Sequence, residues 1–422
     1  MPHLPGDSAN WLAGLLLFYW FYRTFLLGYP RFRVDEPLDL DDDDTLRIIS
    51  SLSKALVCPK NRIEPINDGK NFYPAQLNAI RNARHSVNIE VYTFFPEEIG
   101  RKFAAALSER AAAGVQVRLL LDAFGAGRMG RRRKLLNELR AAGCKVGFYH
   151  PLRHLSTFNT RTHREIYVMD GNVAFVGGAG IANQWIRKSR NQAAWRDLMF
   201  RIEGPAVTAI QGVFLENWSE TCDEILTNHE VFPDIKPQGD ATALVVNSIA
   251  RMRSSPARAL HHVLLASATQ SIRISSPYFL PDPSVRRELM AAAHRGVDVK
   301  IVTTGKNTDH ALTRAGSRRL YGGLLKAGVK IYEYHLSMYH VKLLIVDGKW
   351  AVGGTTNFDN RSLAINDEIC IAIPNDAVIE QLEAQFMRDV EASNRITLED
   401  WNHRSIFERL HAQLSRLVER QQ

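Results

Sequence analysis

Short runs of β-branched and aliphatic residues recur along the chain, each separated from the next by a segment of helical length with apolar positions three and four apart. The series starts twice. Residues 85–95 (HSVNIEVYTFF) parallel 270–280 (QSIRISSPYFL), 113–121 (AGVQVRLLL) parallel 295–303 (RGVDVKIVT), and 142–149 (AGCKVGFY) parallel 327–334 (AGVKIYEY). Segments such as 100–113 and 285–295 join the runs, and strand–helix–strand alternation of this kind predicts a mainly parallel sheet flanked by helices. At 422 residues the chain exceeds the usual size of one domain, and duplication is the simplest account of its length. We expect an α/β fold of two fused repeats, 65–235 and 236–422, the second closing with amphipathic helices over 377–393 and 405–419.

The N-terminal pattern is different. Residues 11–22 (WLAGLLLFYWFY) are apolar, Arg23 interrupts, and 24–29 are again mostly apolar. A spanning helix needs roughly 20 apolar residues, and aromatic side chains suit the headgroup level. The expectation for 1–30 is a hydrophobic helix, either a membrane anchor or an interfacial one, with a buried core helix as the alternative. No basic stretch precedes it, whereas Arg23, Arg31 and Arg33 follow it, which places the remaining chain on the cytoplasmic side of an inner membrane. The acid-rich stretch within 31–64, with Asp35, Glu36, Asp39 and Asp41 to Asp44, reads as a linker.

Charge adds a partner class. The net charge of +8 favours an anionic partner, membrane or nucleic acid, and the basic residues cluster at Arg128, Arg131, Arg132, Arg133 and Lys134 and again at Arg161 and Arg164. Cys58, Cys144, Cys222 and Cys370 lie far apart without metal-ligand spacing, which predicts free thiols and no structural metal.

The candidate chemistry lies in two further matched stretches. His340-Val-Lys342-Leu-Leu-Ile-Val-Asp347 is followed by Gly353-Gly354-Thr355-Thr356-Asn357; upstream, His163-Arg-Glu165-Ile-Tyr-Val-Met-Asp170 is followed by Gly177-Gly178-Ala179-Gly180. Side chains alternate along an extended strand, so His340 and Lys342 share one face. The apolar run after each predicts a strand covered on both faces. A phosphodiester resists attack, and opening it calls for a nucleophile, a proton donor for the leaving alkoxide and cations around the phosphoryl oxygens. Two histidines, one from each half, can divide the first two tasks.

These stretches resemble the HxKxxxxD motif of the phospholipase D superfamily, whose members build one active site from two copies. Residues 357–362 (NFDNRS), 201–205 (RIEGP) and 277–281 (PYFLP) look most like bacterial cardiolipin synthases and related phosphatidyltransferases. The resemblance implies two fused phospholipase D-like repeats and phosphatidyl transfer between phospholipids through a phosphohistidine, with no metal or cofactor. It implies His163 as nucleophile and His340 as acid and then base, with Lys342, Asp170 and Asp347 completing the motifs and Glu368 and Asp197 orienting the imidazoles. Asn357, Thr355, Gly178, Asn183, Arg164 and Glu165 become the expected substrate contacts, Asn183 through a variant GGxGIA turn. Implied partners are phosphatidylglycerol or a similar phospholipid and an anionic membrane, with nucleic acid disfavoured; oligomeric state is not legible. Glu165 departs from the motif lysine, and three outcomes stay open: Arg161 or Arg164 replaces the charge, Glu165 recognises an acceptor alcohol, or the site is impaired. A hydrolase, a nuclease and a non-catalytic lipid-binding protein are the alternatives.

Overall fold

A computed structural model describes residues 32–127, 133–151, 159–187, 193–249, 255–374 and 377–415, together with Trp11, Gly14, Leu15, Phe18 and Tyr19. The strands of the first half are β1 (Leu56–Asn67), β2 (Ser86–Val91), β3 (Gln116–Asp122), β4 (Lys145–Tyr149), β5 (Ile166–Met169), β6 (Val173–Gly177) and β7 (Leu198–Glu203). Those of the second are β8 (Ala241–Ser248), β9 (Ser271–Ser276), β10 (Asp298–Thr304), β11 (Lys330–Tyr334), β12 (Leu343–Val346), β13 (Trp350–Gly354), β14 (Glu368–Pro374) and β15 (Ser393–Ile396). Among the described residues they form one 15-stranded sheet in the order β15-β11-β10-β9-β12-β13-β14-β8-β1-β7-β6-β5-β2-β3-β4. The halves join where β1 pairs with β8.

The α/β class and the helix-flanked sheet are as expected, but parallel pairing is narrower than the sequence implies. It is confined to β2–β3–β4 and β9–β10–β11, where helices such as Glu98–Ala112 and Pro283–His294 provide the crossovers. The other neighbours run antiparallel, because tight turns rather than helices connect β5 to β6 and β12 to β13. Both turns begin Asp-Gly with positive φ, 51° and 61° at Asp170 and Gly171, 55° and 64° at Asp347 and Gly348.

The motif strands are buried on both faces. Ile166, Val168, Leu343 and Ile345 enter a central core shared by the two halves, whereas Tyr167 and Met169 enter a core belonging to the first half and Leu344 and Val346 one belonging to the second. The helices Ala206–Cys222 and Ala377–Glu391 supply Phe214, Trp218, Leu382 and Phe386 to the central core. The motif strands are thereby packed on both faces.

Two expectations change, and a third is described only in part. The stretch 31–64, read as a linker, contains the helix Asp43–Ser53, capped by Asp42, and most of β1, whose Ile49, Cys58 and Ile63 are buried. Its acids satisfy a helix N-terminus in place of keeping the chain extended. The helix Ile406–Leu414 does not bury all of its apolar side, for Ile406, Phe407 and Leu410 are exposed. In 1–30, Trp11, Leu15, Phe18 and Tyr19 are helical and exposed, and the remainder of that expectation lies outside the described residues, as do Arg128, Arg131 and Arg132. Among the described residues no helix is long and apolar enough to cross a membrane.

Candidate active site

Parallel strands end at one edge of the sheet, and their following loops open a crevice there. β5 and β12 run antiparallel to β2 and β9, so their starting ends meet the C-terminal ends of those strands. His163 and His340 stand just before these starts. Both line a single cavity of about 600 Å³, together with Tyr92 after β2 and Tyr278 after β9.

The approach segments of the two halves are interleaved. His163 N donates to Asp367 O at 2.9 Å and Asp367 N to Arg161 O at 2.9 Å; His340 N donates to Arg196 O at 2.8 Å and Arg196 N to Met338 O at 3.0 Å. Each histidine therefore runs beside the carboxylate segment of the opposite half. His340 Nδ1 lies 2.7 Å from Asp197 Oδ2 in a hydrogen bond, and His163 Nδ1 lies 3.2 Å from Glu368 Oε1, close but without hydrogen-bond alignment. Asp197 and Glu368 do face imidazoles, each across the repeat boundary from its own motif. Downstream order in the sequence could not reveal this exchange.

Supporting contacts hold the carboxylates. Asp197 Oδ2 also accepts from Trp185 Nε1 at 2.9 Å, and its Oδ1 accepts from Leu198 N at 2.8 Å. A Cβ on Gly178 would stand 2.5 Å from Asp197 Oδ1, so only glycine leaves that carboxylate in place. Thr355, expected on phosphate, turns its hydroxyl to Glu368 Oε2 and supports the acid instead. Trp185 and Trp195 pack on the His340 ring with centroids 5.6 and 5.4 Å away, and Tyr92 meets His163 edge-on at 5.1 Å.

Burial sets the charges. Desolvation lowers the His340 pKa, Lys342 lowers it further, and Asp197 opposes both. Lys342 Nζ sits 2.9 Å from His340 Nδ1 and donates to His340 O at 2.7 Å; burial brings its pKa down to about 8 against Asp197, Glu368 and Glu165. Burial pushes the Glu165 carboxyl well above the usual carboxylate range, against the Tyr92 and Thr93 backbone donors and Lys342.

Several expected contacts are displaced. Arg164 follows the strand alternation to the other face, where it bonds Val213 O, Glu216 and Asn247 away from the cavity. Asn183 accepts from Ile99 N at 3.0 Å at the start of the helix Glu98–Ala112, and its neighbour Gln184 lines the cavity in its stead. Asp170 accepts from the backbone N–H groups of Arg84, His85 and Ser86, and Asp347 from those of Thr269, Gln270 and Ser271. Seven residues at roughly 3.3 Å each carry these acids to the far end of the motif strand, where they pin hairpin turns and touch nothing in the cavity. Asn357, Gly178, Glu165 and Arg161 do line the cavity. The sequence reading missed Arg361, which also lines it from within the 357–362 stretch and donates to Asn159 and Asn366.

Comparison with known proteins agrees with the two-repeat fold. A family model described as cardiolipin synthase, PLD-like domain, matches residues 77–214 and 262–390, one segment in each half. The chain belongs to that family of the phospholipase D superfamily. It is 32% identical over 362 residues to a probable cardiolipin synthase, YwiE, of Bacillus subtilis, covering 85% of this chain and 72% of the relative. It is 30% identical over 399 residues to the major cardiolipin synthase ClsA of the same organism, covering 93% of this chain and 82% of the relative. The solved phosphatidylserine synthase of Haemophilus influenzae shares the fold, with a TM-score of 0.69 over 90% of this chain and 100% of that one at 13% identity. The chain is accordingly an enzyme, of a superfamily whose cardiolipin synthases are phosphatidyltransferases.

Proposed function

We propose that this phospholipase D superfamily enzyme transfers a phosphatidyl group from one phosphatidylglycerol to a second, through a phosphohistidine and without a divalent ion. The observation that carries the reading is the pair of imidazoles, His163 and His340, lining one cavity with each Nδ1 turned to a carboxylate of the other half. Asp197 holds His340 Nδ1 and Glu368 stands beside His163 Nδ1, which leaves Nε2 of each ring for the chemistry, that of His340 lying 3.1 Å from Lys342 Nζ. His163 Nε2 attacks phosphorus, the bond to the headgroup oxygen breaks, and His340 gives its proton to that oxygen to release glycerol. The hydroxyl of the second phosphatidylglycerol then attacks phosphorus, His340 takes its proton, and His163 leaves. A pKa lowered by burial makes protonated His340 the stronger acid for the first step. Arg161 and Arg361, which line the cavity, and Lys342, buried beside His340, supply positive charge around the phosphoryl oxygens, which answers the loss of the first-half lysine with arginine.

The same reading puts the enzyme on the cytoplasmic face of the inner membrane. Its support is the net charge of +8, the exposed Trp11, Leu15, Phe18 and Tyr19, and the lipid nature of the substrate. The purified full chain with phosphatidylglycerol in detergent, followed by mass spectrometry, is expected to yield cardiolipin and glycerol, with neither from His163→Ala or His340→Ala. Phosphatidic acid without cardiolipin would make the enzyme a hydrolase, and nucleotide products from DNA would make it a nuclease.

A further inference from the structure

The two halves differ at paired positions. In the second half Lys342 and Asn357 occupy the places that Glu165 and Gly180 hold in the first, and in the structure the two first-half residues are neighbours. A Cβ on Gly180 would stand 3.0 Å from Glu165 Oε1 and 2.8 Å from Thr93 O, so any side chain there would press on the carboxyl group. Glycine at 180 and glutamate at 165 are thus one change in two places. The carboxyl that results is 5% exposed and lines the cavity that holds both histidines. Tyr92 N donates to its Oε1 at 3.3 Å, and its Oε2 is buried without a hydrogen-bond partner among the described residues.

We propose that Glu165 is a catalytic residue whose Oε2–H donates a hydrogen bond to a phosphoryl oxygen of the bound phospholipid, doing with a neutral donor what Lys342 does with a charged one. An ionised carboxylate in that place would repel the phosphoryl oxygens, whereas a protonated one is attracted to them and gives the orphaned Oε2 its partner. The groups that face Glu165 are consistent with the neutral form. The phenols of Tyr73, Tyr92 and Tyr167 are within electrostatic reach of it, Asp197 adds a like charge, and Lys342 is the opposing cation. Burial is the largest cause of the rise in its pKa. Donation from a neutral acid also leaves the two-histidine proton traffic unchanged, because Glu165 keeps its proton throughout.

This rests on the phosphatidyl-transfer reading, and two measurements separate the failure of one from the failure of the other. The first compares transfer by the full-length wild type and by Glu165→Gln, Glu165→Ala and Glu165→Lys from pH 6 to pH 9. Glutamine retains an N–H donor and is expected within about threefold of wild type at pH 6, whereas alanine falls about 20-fold or more, the value of one hydrogen bond to a charged group. The ratio of Glu165→Gln to wild type should rise with pH, since only wild type can ionise at this position. A flat ratio, an unimpaired alanine variant, or a lysine variant as fast as wild type would each overturn the proposal. The second measurement needs no turnover: the infrared difference between wild type and Glu165→Gln at neutral pH should contain the carbonyl band of a protonated carboxylic acid, displaced when inorganic phosphate is added. Its absence overturns the role of Glu165 even where transfer is seen; its presence in a protein that makes no cardiolipin overturns only the phosphatidyl-transfer reading.

Discussion

Asp197→Asn puts the exchanged carboxylates to a direct test. Asp197 is fully buried and receives three donors, Trp185 Nε1 at 2.9 Å, His340 Nδ1 at 2.7 Å and Leu198 N at 2.8 Å. Asparagine has the same size but only one acceptor oxygen. With that oxygen toward Leu198, its NH₂ confronts the indole N–H and the Nδ1–H of His340, which drives the ring to the other tautomer and leaves Nε2 protonated at the wrong stage. With the oxygen toward His340, its NH₂ confronts Leu198 N in a fully buried position. A hydrogen bond to a charged group is worth about 1.5–3 kcal/mol, and an orphaned buried donor costs about 1–3 kcal/mol. Taking about 2–4 kcal/mol from the transition state lowers the rate roughly 30- to 1,000-fold, at one decade per 1.4 kcal/mol. The cardiolipin-forming rate should fall by that much while the circular dichroism spectrum stays native. The pH profile should move too. Asp197 raises the His340 pKa against desolvation and Lys342, so its removal shifts the limb that reports protonated His340 to lower pH. A folded variant within threefold of wild type, or an unmoved limb, would refute the reasoning.

Lys342 titrates near pH 8, and because lysine is charged below its pKa, phosphate binding should weaken as the pH rises through that value; Lys342→Arg should keep binding to higher pH, read by isothermal titration with inorganic phosphate. Glu90, fully buried with Thr162 and Asn217 as donors, has its pKa raised by burial from 4.5 to about 7. A raised folded-state pKa gives stability that is complete below pH 4.5 and is lost as the pH passes about 7, so Glu90→Gln should raise the melting temperature at pH 8 and change it little at pH 5. Asp347 is the opposite case: its backbone donors from 269–271 outweigh desolvation and hold its pKa down, so its contribution is present above the unfolded value and fades as the pH falls. Asp347→Asn should cost about 1–3 kcal/mol in urea unfolding at pH 7, and the deficit should shrink toward pH 3. Gly180→Asn should slow transfer sharply by crowding Glu165, and Glu165→Lys/Gly180→Asn should be less impaired than the two single changes predict together, as assayed by cardiolipin formation.

Repetition made the fold readable. Matching runs at 113–121 and 295–303 mark β3 and β10, and the four apolar residues after each motif mark strands covered on both faces. The antiparallel pairing of β5 and β12 was not readable, because an apolar run has the same appearance in either direction. Most of the site followed from local alternation. His163 and Glu165 share the cavity face, and the same rule, applied to Arg164, removes it from the site. What escaped depends on contacts between distant segments. Spacing named Asp197 and Glu368 as the acids but could not say which imidazole each faces. Asp170 and Asp347 are motif residues whose backbone bonds become visible only when the start of β2 or β9 is brought beside them.

The exchanged carboxylates tie the two repeats together as a unit of inheritance. Asp197 serves the histidine of the later repeat and Glu368 that of the earlier one, so damage to either acid is felt at the ring of the opposite half. An ancestral pair of identical subunits would have had one kind of acid serving both rings. With aspartate now on one side and glutamate on the other, set among unlike neighbours, neither repeat in duplicate reproduces the whole. Separating the halves would take from each imidazole the carboxylate it faces.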